Sequence, residues 1–316
     1  MSILSGVISS YSNYRFNKMR KLEISVNNKN NVIKSIKTSP ERFTVQKKVP
    51  IRSIPTMISI GKNIEDNVKS LKNNPDIPNT RASIEFMDKF EEHARSMGIN
   101  DIGYTKVDSE LIFKDRAVIY ENAIVFIKEI DKFGVDNDFP GKQLKDLELY
   151  DDFGRKTNEM VDYLRENGFA AQASHPAQGF VTYPTLAQNA GLGWRGKSNL
   201  LITPELGPRQ KISAIFTSIE NLPVNTGHDH SWIGDYCNYC GKCLKSCPGN
   251  AIVEPTDGLN RSKFIPEHCI GCNDICTICL RDCPFNKKDY MQVKDKYEKI
   301  KNKKSLNYKT FNLSVC

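Results

Sequence analysis

The chain has 316 residues, 39% hydrophobic and 26% charged, a composition that fits a folded globular protein and excludes a fibrous or disordered one. No stretch approaches the roughly 20 apolar residues that a bilayer-spanning helix needs. The N-terminus lacks the apolar run of about 7–15 residues of a secretion signal, and there is no Arg-Arg pair for twin-arginine export, so the expected location is cytoplasmic. The net charge of +8 is unevenly spread: residues 1–78 hold 14 Lys/Arg against 5 Asp/Glu, residues 285–316 hold 9 against 3, and the stretch between holds 22 against 29. An acidic body thus lies between two basic ends. Basic ends can contact nucleic acid electrostatically, although lysine-rich termini also serve solubility alone.

Residues 1–79 carry Ser, Asn and Lys with scattered Ile and Val and show no sustained period. They read as a basic arm of uncertain structure. The body spans residues 80–225. In it Ile84, Met87, Phe90, Ala94 and Met97 recur at helical spacing, with Ser83 placed to cap the start and Gly98 the end. Residues 99–104 read as a strand, and 123–127 form the unbroken apolar run of a strand covered on both faces. A helix follows over 143–167, carrying Leu144, Leu147, Tyr150, Val161 and Leu164, with Gly168 at its end, and then a strand over 169–173. Two further strands, 199–203 and 211–219, are joined by the turn-forming run Pro204-Glu205-Leu206-Gly207-Pro208. This order predicts an α+β fold with a mixed sheet. A cysteine-rich module over 226–286 and a basic tail over 287–316 complete the chain.

Nine of the ten cysteines fall between Cys237 and Cys283. Thiols clustered in this way, without a secretion signal, point to metal rather than to disulfides. The first motif is Cys237-x2-Cys240-x2-Cys243-x3-Cys247-Pro248. It is the bacterial ferredoxin run, in which three thiolates hold one 4Fe–4S cluster and the fourth ligates the other cluster. Zinc sites instead set their four ligands in pairs. The second motif reads Cys269-x2-Cys272-x3-Cys276-x2-Cys279-x3-Cys283-Pro284, with Asn273 where a regular repeat would have cysteine. Crossed ligation assigns Cys237, Cys240, Cys243 and Cys283 to one cluster. The other takes Cys247, Cys276, Cys279 and one of Cys269 or Cys272. The module is therefore read as ferredoxin-like with two 4Fe–4S clusters, and Cys316 as a free terminal thiol. His228 and His230 flank Asp229 just before the clusters and read as a solvated loop rather than as ligands. Two clusters make a wire. A mere carrier needs no body of this size, so the sequence favours an enzyme; the alternative is a double-cluster electron-transfer protein without a corrinoid, its body a docking module.

Ahead of the cysteines, Ala190-Gly191-Leu192-Gly193-Trp194-Arg195-Gly196-Lys197 is punctuated by glycine, as where a backbone approaches something closely. Arg195, Lys197 and Arg209 can meet an anion there. The stretch is not the GxGxxG fingerprint of a dinucleotide site. It resembles instead the cobalamin-dependent reductases that include reductive dehalogenases and epoxyqueuosine reductase. The Ala-Gly-Leu-Gly-Trp-x-Gly-Lys part is similar to the latter. The run Thr203-Pro204-Glu205-Leu206-Gly207-Pro208-Arg209 is similar to the former, and the resemblance covers about residues 80–285.

That resemblance implies a nitroreductase-like, corrinoid-binding α+β domain, with Gly191, Gly193, Trp194, Gly196 and Lys197 as cofactor contacts. It also implies base-off cobalamin, and none of the five histidines stands in an Asp-x-His-x-x-Gly arrangement. The implied activity is reductive cleavage of a carbon–halogen or carbon–oxygen bond, on a small-molecule or tRNA-borne substrate. The implied partner is a low-potential electron donor of the ferredoxin or flavodoxin type. The dehalogenases place a proton-donating tyrosine near the start of the helix before the Gly-Phe/Tyr-x-Ala strand, where epoxyqueuosine reductase places an aspartate. Tyr150 matches that position, with Asp151 and Asp152 as alternatives and packing beside Leu147 as its purely structural role. A phenol of pKa about 10 stays protonated at neutral pH and can donate, and Arg209 is the expected cation for the phenolate left behind.

Overall fold

The computed structural model describes residues 33, 34, 36, 51–114, 116–224, 227, 229–254, 262–271 and 276–313, with side chains as far as residue 302. Most of the arm, His228, Cys272, Asn273 and Cys316 lie outside the described residues. In chain order the body comprises β1 (Ile33–Lys34), α1 (Ile54–Lys69), α2 (Ile84–Ser96), β2 (Asp101–Lys106), β3 (Ala117–Val118), β4 (Asn122–Glu129), α3 (Lys132–Asp136), α4 (Lys142–Glu166), β5 (Ala171–Ser174), α5 (Tyr183–Asn189), β6 (Trp194–Arg195), β7 (Leu201–Ile202) and β8 (Gln210–Thr217). The cysteine-rich module comprises α6 (Trp232–Cys240), α7 (Lys242–Ser246), β9 (Ile252–Val253), β10 (Lys263–Phe264), α8 (Ile278–Arg281), α9 (Pro284–Lys287) and α10 (Tyr290–Leu313).

The apolar run at 123–127 lies in β4, an inner strand of a four-stranded sheet ordered β2-β4-β8-β5. Its alternate residues serve two cores. Ile124 and Phe126 pack with Phe90, Phe153, Met160 and Leu164 on one face. Ala123, Val125 and Ile127 pack with Phe180, Leu186 and Phe216 on the other. A strand sandwiched in this way has no polar face, hence the absence of alternation. Full burial of each large side chain contributes roughly 1.5–3 kcal/mol.

The fold is α+β as expected, but every ladder of this sheet is antiparallel. The mixed sheet is therefore corrected. Strands β4 and β5, with α4 between them in sequence, do run the same way, yet β8 inserts between them and pairs antiparallel with both. The proline-rich turn at 204–208 joins two strands that do not pair: β7 pairs with β6, and the turn delivers the chain to β8. Helix α2 starts where expected, with Ser83 Oγ accepting from the Phe86 N–H at 3.1 Å. Gly98 follows its end at φ +78°.

Both ends of the chain are more closely built into the fold than their composition suggests. Helix α1, in the presumed arm, buries Ile60 and Ile64 against Leu147 and Tyr150 of α4. Asn63 Nδ2 also donates to Asp151 Oδ1 at 2.8 Å. Helix α10, in the presumed tail, buries Val293 and Tyr297 against Trp232, Tyr236, Phe285 and Ile202. The cysteine module is pinned to the body as well: Lys132 Nζ donates to Asn286 O at 2.9 Å, and Asn286 Nδ2 donates to Asp136 Oδ1 at 2.7 Å.

Candidate iron–sulfur centre and adjoining cavity

Cys283, from the second motif, stands with the first three thiols of the first. The Cys283 sulfur feels the charges of Cys237, Cys240 and Cys243, and these four thiols line one pocket together with Cys279. This is the gathering that crossed ligation requires. Burial pushes the Cys237 and Cys283 thiols up to about 12 and Cys243 up to about 11, and neighbouring thiols add to the rise. Backbone N–H groups of Lys197 and Phe285 pull against that rise at Cys237 and Cys283 respectively. Such thiols ionise only with a cationic centre among them, and that is the condition of a metal–thiolate site. Among the described residues no three His, Cys, Asp or Glu side chains stand close enough to share a single ion, whereas a cluster is gripped at separate corners.

Of the remaining described thiols, Cys279 also lines that pocket, and two others receive backbone N–H groups. Cys247 Sγ accepts from the Ala251 N–H at 3.3 Å, and Cys269 Sγ from the Gly271 N–H at 3.3 Å. Asp229 is solvent-exposed as the loop reading has it, but His230 departs from that reading. Its Nδ1 lies 2.7 Å from Tyr290 Oη, which also accepts from Trp232 Nε1 at 2.8 Å. Burial lowers the pKa of His230. The pair is one of the fastenings of α10.

The glycine-rich segment abuts the first thiol group. Trp194, Arg195, Gly196 and Lys197 line a cavity of about 340 Å³ together with Asp235 and Cys237. A Cβ on Gly196 would stand 2.7 Å from Ile202 Cδ1 and 3.4 Å from Cys237 Sγ. The Lys197 ammonium is held by both oxygens of Glu254, at 2.6 and 2.7 Å, so its charge is already balanced. Gly191 and Gly193 do not line this cavity. Gly191, at φ +77°, ends α5, and a Cβ on Gly193 would collide with the Ile202 carbonyl across the β6–β7 hairpin. The polar and glycine surface suits the amide-bearing rim of a corrinoid, although the cavity is smaller than a whole cobalamin.

Tyr150 sits half-buried near the start of α4, beside Ile60, Ile64 and Leu147. The cation at its ring is Lys211, from β8, with Nζ 3.9 Å from the ring centroid and 2.7 Å from Asp146 Oδ1. Burial acts to lower the Lys211 pKa, but Asp146 and Tyr150 outweigh it and hold Lys211 above the usual ammonium range. Arg209 is engaged elsewhere: Nη1 meets Glu129 Oε1 at 2.6 Å and Ile130 O at 3.2 Å. Asp151 is bound by Asn63 and Arg155, and Asp152 pairs with Lys156 at 2.8 Å. Sequence reasoning missed Lys211 and Glu254. Lys211 follows Arg209 by two residues and opens the expected strand over 211–219. Glu254 carries no local signal, being brought to Lys197 by the fold.

Comparison with known proteins bears on the cysteine-rich module and on the resemblance. A family profile described as "4Fe-4S binding domain" matches residues 230–253, so the module is of the iron–sulfur kind. The chain is 32% identical over 149 residues to an epoxyqueuosine reductase of Gloeobacter violaceus (strain ATCC 29082 / PCC 7421), covering 42% of this chain and 45% of that protein. It is 27% identical over 146 residues to a tetrachloroethene reductive dehalogenase of Sulfurospirillum multivorans, covering 40% and 28%. The resemblance to these two kinds of reductase is thus borne out, with matches that span less than half of each relative's own length. Among solved structures, a catabolic reductive dehalogenase superposes with a TM-score of 0.55 at 16% identity, over 82% of this chain and 45% of that one. That likeness is one of fold.

Proposed function

We propose that the chain is an iron–sulfur and corrinoid-dependent reductase that cleaves a carbon–halogen or carbon–oxygen bond in a nitroreductase-like body. One observation carries the reading: the body's cavity and the first thiol group share a wall, formed by Gly196, the Lys197 backbone and Cys237. A carrier whose body serves only for docking needs no such cavity. In this reading one 4Fe–4S cluster is held by Cys237, Cys240, Cys243 and Cys283. The other is held by Cys247, Cys276, Cys279 and one of Cys269 or Cys272, Cys269 receiving the same kind of N–H···S contact as Cys247.

Trp194, Arg195, Gly196 and Lys197 would hold the rim of the corrinoid. When bound, that group supplies an electron-rich metal centre for reductive cleavage. Tyr150, which is not among the residues lining the body's cavity, would give its phenolic proton to the carbon or oxygen released by cleavage, and the Lys211 ammonium would stabilise the phenolate that remains. Arg209, tied to Glu129, lies in the segment leading into the same strand. Two electrons from an external low-potential donor, of ferredoxin or flavodoxin type, and one proton convert a carbon–halogen bond into a carbon–hydrogen bond and a halide ion. The substrate is a small molecule or is borne on tRNA. The proposed location is the cytoplasm.

The test is metal content after anaerobic expression with cobalamin supplied. About eight irons and about one cobalt per chain are expected. Eight irons without cobalt, and no perturbation of an added cobalamin spectrum, would leave the electron-transfer reading in its place.

A further inference from the structure

We propose that Lys142 sets the reduction potential of the second cluster. The inference rests on the assignment of Cys276 and Cys279 to that cluster. Lys142 opens α4 and is nearly buried, its side chain 8% exposed. Its Nζ meets three acceptors: Asn137 O at 3.0 Å, Asp138 Oδ1 at 3.1 Å and Thr277 Oγ1 at 3.0 Å. Thr277 lies between Cys276 and Cys279 in sequence, and it is fastened in turn by donating to Val135 O at 2.7 Å. A fixed positive charge is therefore tied to the residue that separates two ligands. It comes from the body rather than from the cysteine module itself.

Reduction adds an electron to a thiolate-ligated cluster that is already anionic. A nearby buried ammonium stabilises the reduced form more than the oxidised one, so it raises the potential. The counter-ion Asp138 does not cancel this effect, because its side chain is 67% exposed and water screens it while the ammonium stays enclosed. The surroundings of the first cluster differ. Trp232, Tyr236 and Phe285 pack around its thiols, and the lysine nearest to Cys237 is paired with both oxygens of Glu254. Lys142 thus gives the second cluster an electrostatic environment of its own.

Potentiometric titration of the cluster-loaded full chain, followed by EPR, tests this role. The signal lost in Cys276→Ser marks the second cluster. Lys142→Gln should shift its midpoint downward and leave the first cluster unmoved, and Lys142→Arg should keep it near the wild-type value. Asp138→Asn, at an exposed position that folding tolerates, should shift it upward. Two clusters with an unmoved second midpoint in both Lys142→Gln and Asp138→Asn would overturn the role of Lys142 alone. A wild-type chain that binds a single cluster would overturn the ligand assignment together with it.

Discussion

Lys211 Nζ lies 3.9 Å from the centre of the Tyr150 ring while Asp146 anchors it from the other side at 2.7 Å. A lysine held above its usual pKa stays charged when the neighbouring phenol gives up a proton, which makes the pair suited to repeated donation. Tyr150→Phe keeps the ring and removes the proton. It should lower single-turnover product formation by about 10²- to 10⁴-fold, the usual contribution of general acid catalysis, with iron and cobalt content unchanged. Lys211→Met should lower it as well. Turnover within a factor of about two of wild type in Tyr150→Phe would return Tyr150 to a packing role beside Ile60 and Ile64.

Helix α4 and the strand after it were legible from sequence through local signals, apolar spacing and Gly168 at the helix end, while Tyr150 was singled out by the resemblance. Its partner was not legible, because β4 and β8 pair across a long separation and nothing in either strand announces which lysine faces α4. Arg209 was the cation expected for the phenolate, whereas Glu129 on the neighbouring strand β4 claims that guanidinium. The cysteine spacings carried their own geometry, since crossed ligation follows from the motif and the fold gathers Cys283 accordingly. Helices α1 and α10 were hidden by composition: Ser, Asn and Lys dominate both ends, and the few apolar residues that dock them, Ile60, Ile64, Val293 and Tyr297, are too sparse to stand out. The sheet was misjudged where a later strand, β8, inserts between two earlier ones.

Cys283 belongs to the second motif by sequence and to the first cluster by position. Cys283→Ser should therefore abolish the same EPR signal as Cys243→Ser. The double variant should lose no more iron than either single one, about four irons in each case. Cys247→Ser should abolish the other signal. If Cys283→Ser and Cys276→Ser removed the same signal, ligation would be uncrossed.

A methyl group on Gly196 would crowd the end of the Ile202 side chain at 2.7 Å and come into van der Waals contact with the Cys237 sulfur at 3.4 Å. Gly196→Ala makes the buried Ile202 side chain re-orient beside the thiol, and overpacking of this kind costs about 1–3 kcal/mol. The first cluster should load incompletely or show an altered EPR spectrum, while the second is unaffected. Normal loading with loss of corrinoid binding alone would place the role of this glycine in the cavity rather than at the thiol.

His175 is buried to 1% exposure, with Nδ1 accepting from the Ala177 N–H at 3.0 Å and Nε2 without a hydrogen-bond partner among the described residues. Its ring fills the space left by Gly154 on α4, where a Cβ would collide with it. Burial drives its pKa down to about 3 from 6.5, so the folded protein holds it neutral while the unfolded chain protonates it. Stability from this residue is complete above pH 6.5 and drains away as the pH falls from there toward 3, at about 1.4 kcal/mol per unit well inside the window. Between pH 7 and pH 5 the loss amounts to about 2 kcal/mol. Urea unfolding of the cluster-loaded chain at the two pH values should show that loss reduced by about 2 kcal/mol in His175→Gln. An identical pH dependence in the variant would mean that His175 gains its proton inside the folded protein, through a partner or an opening of α4 that the closed structure does not contain.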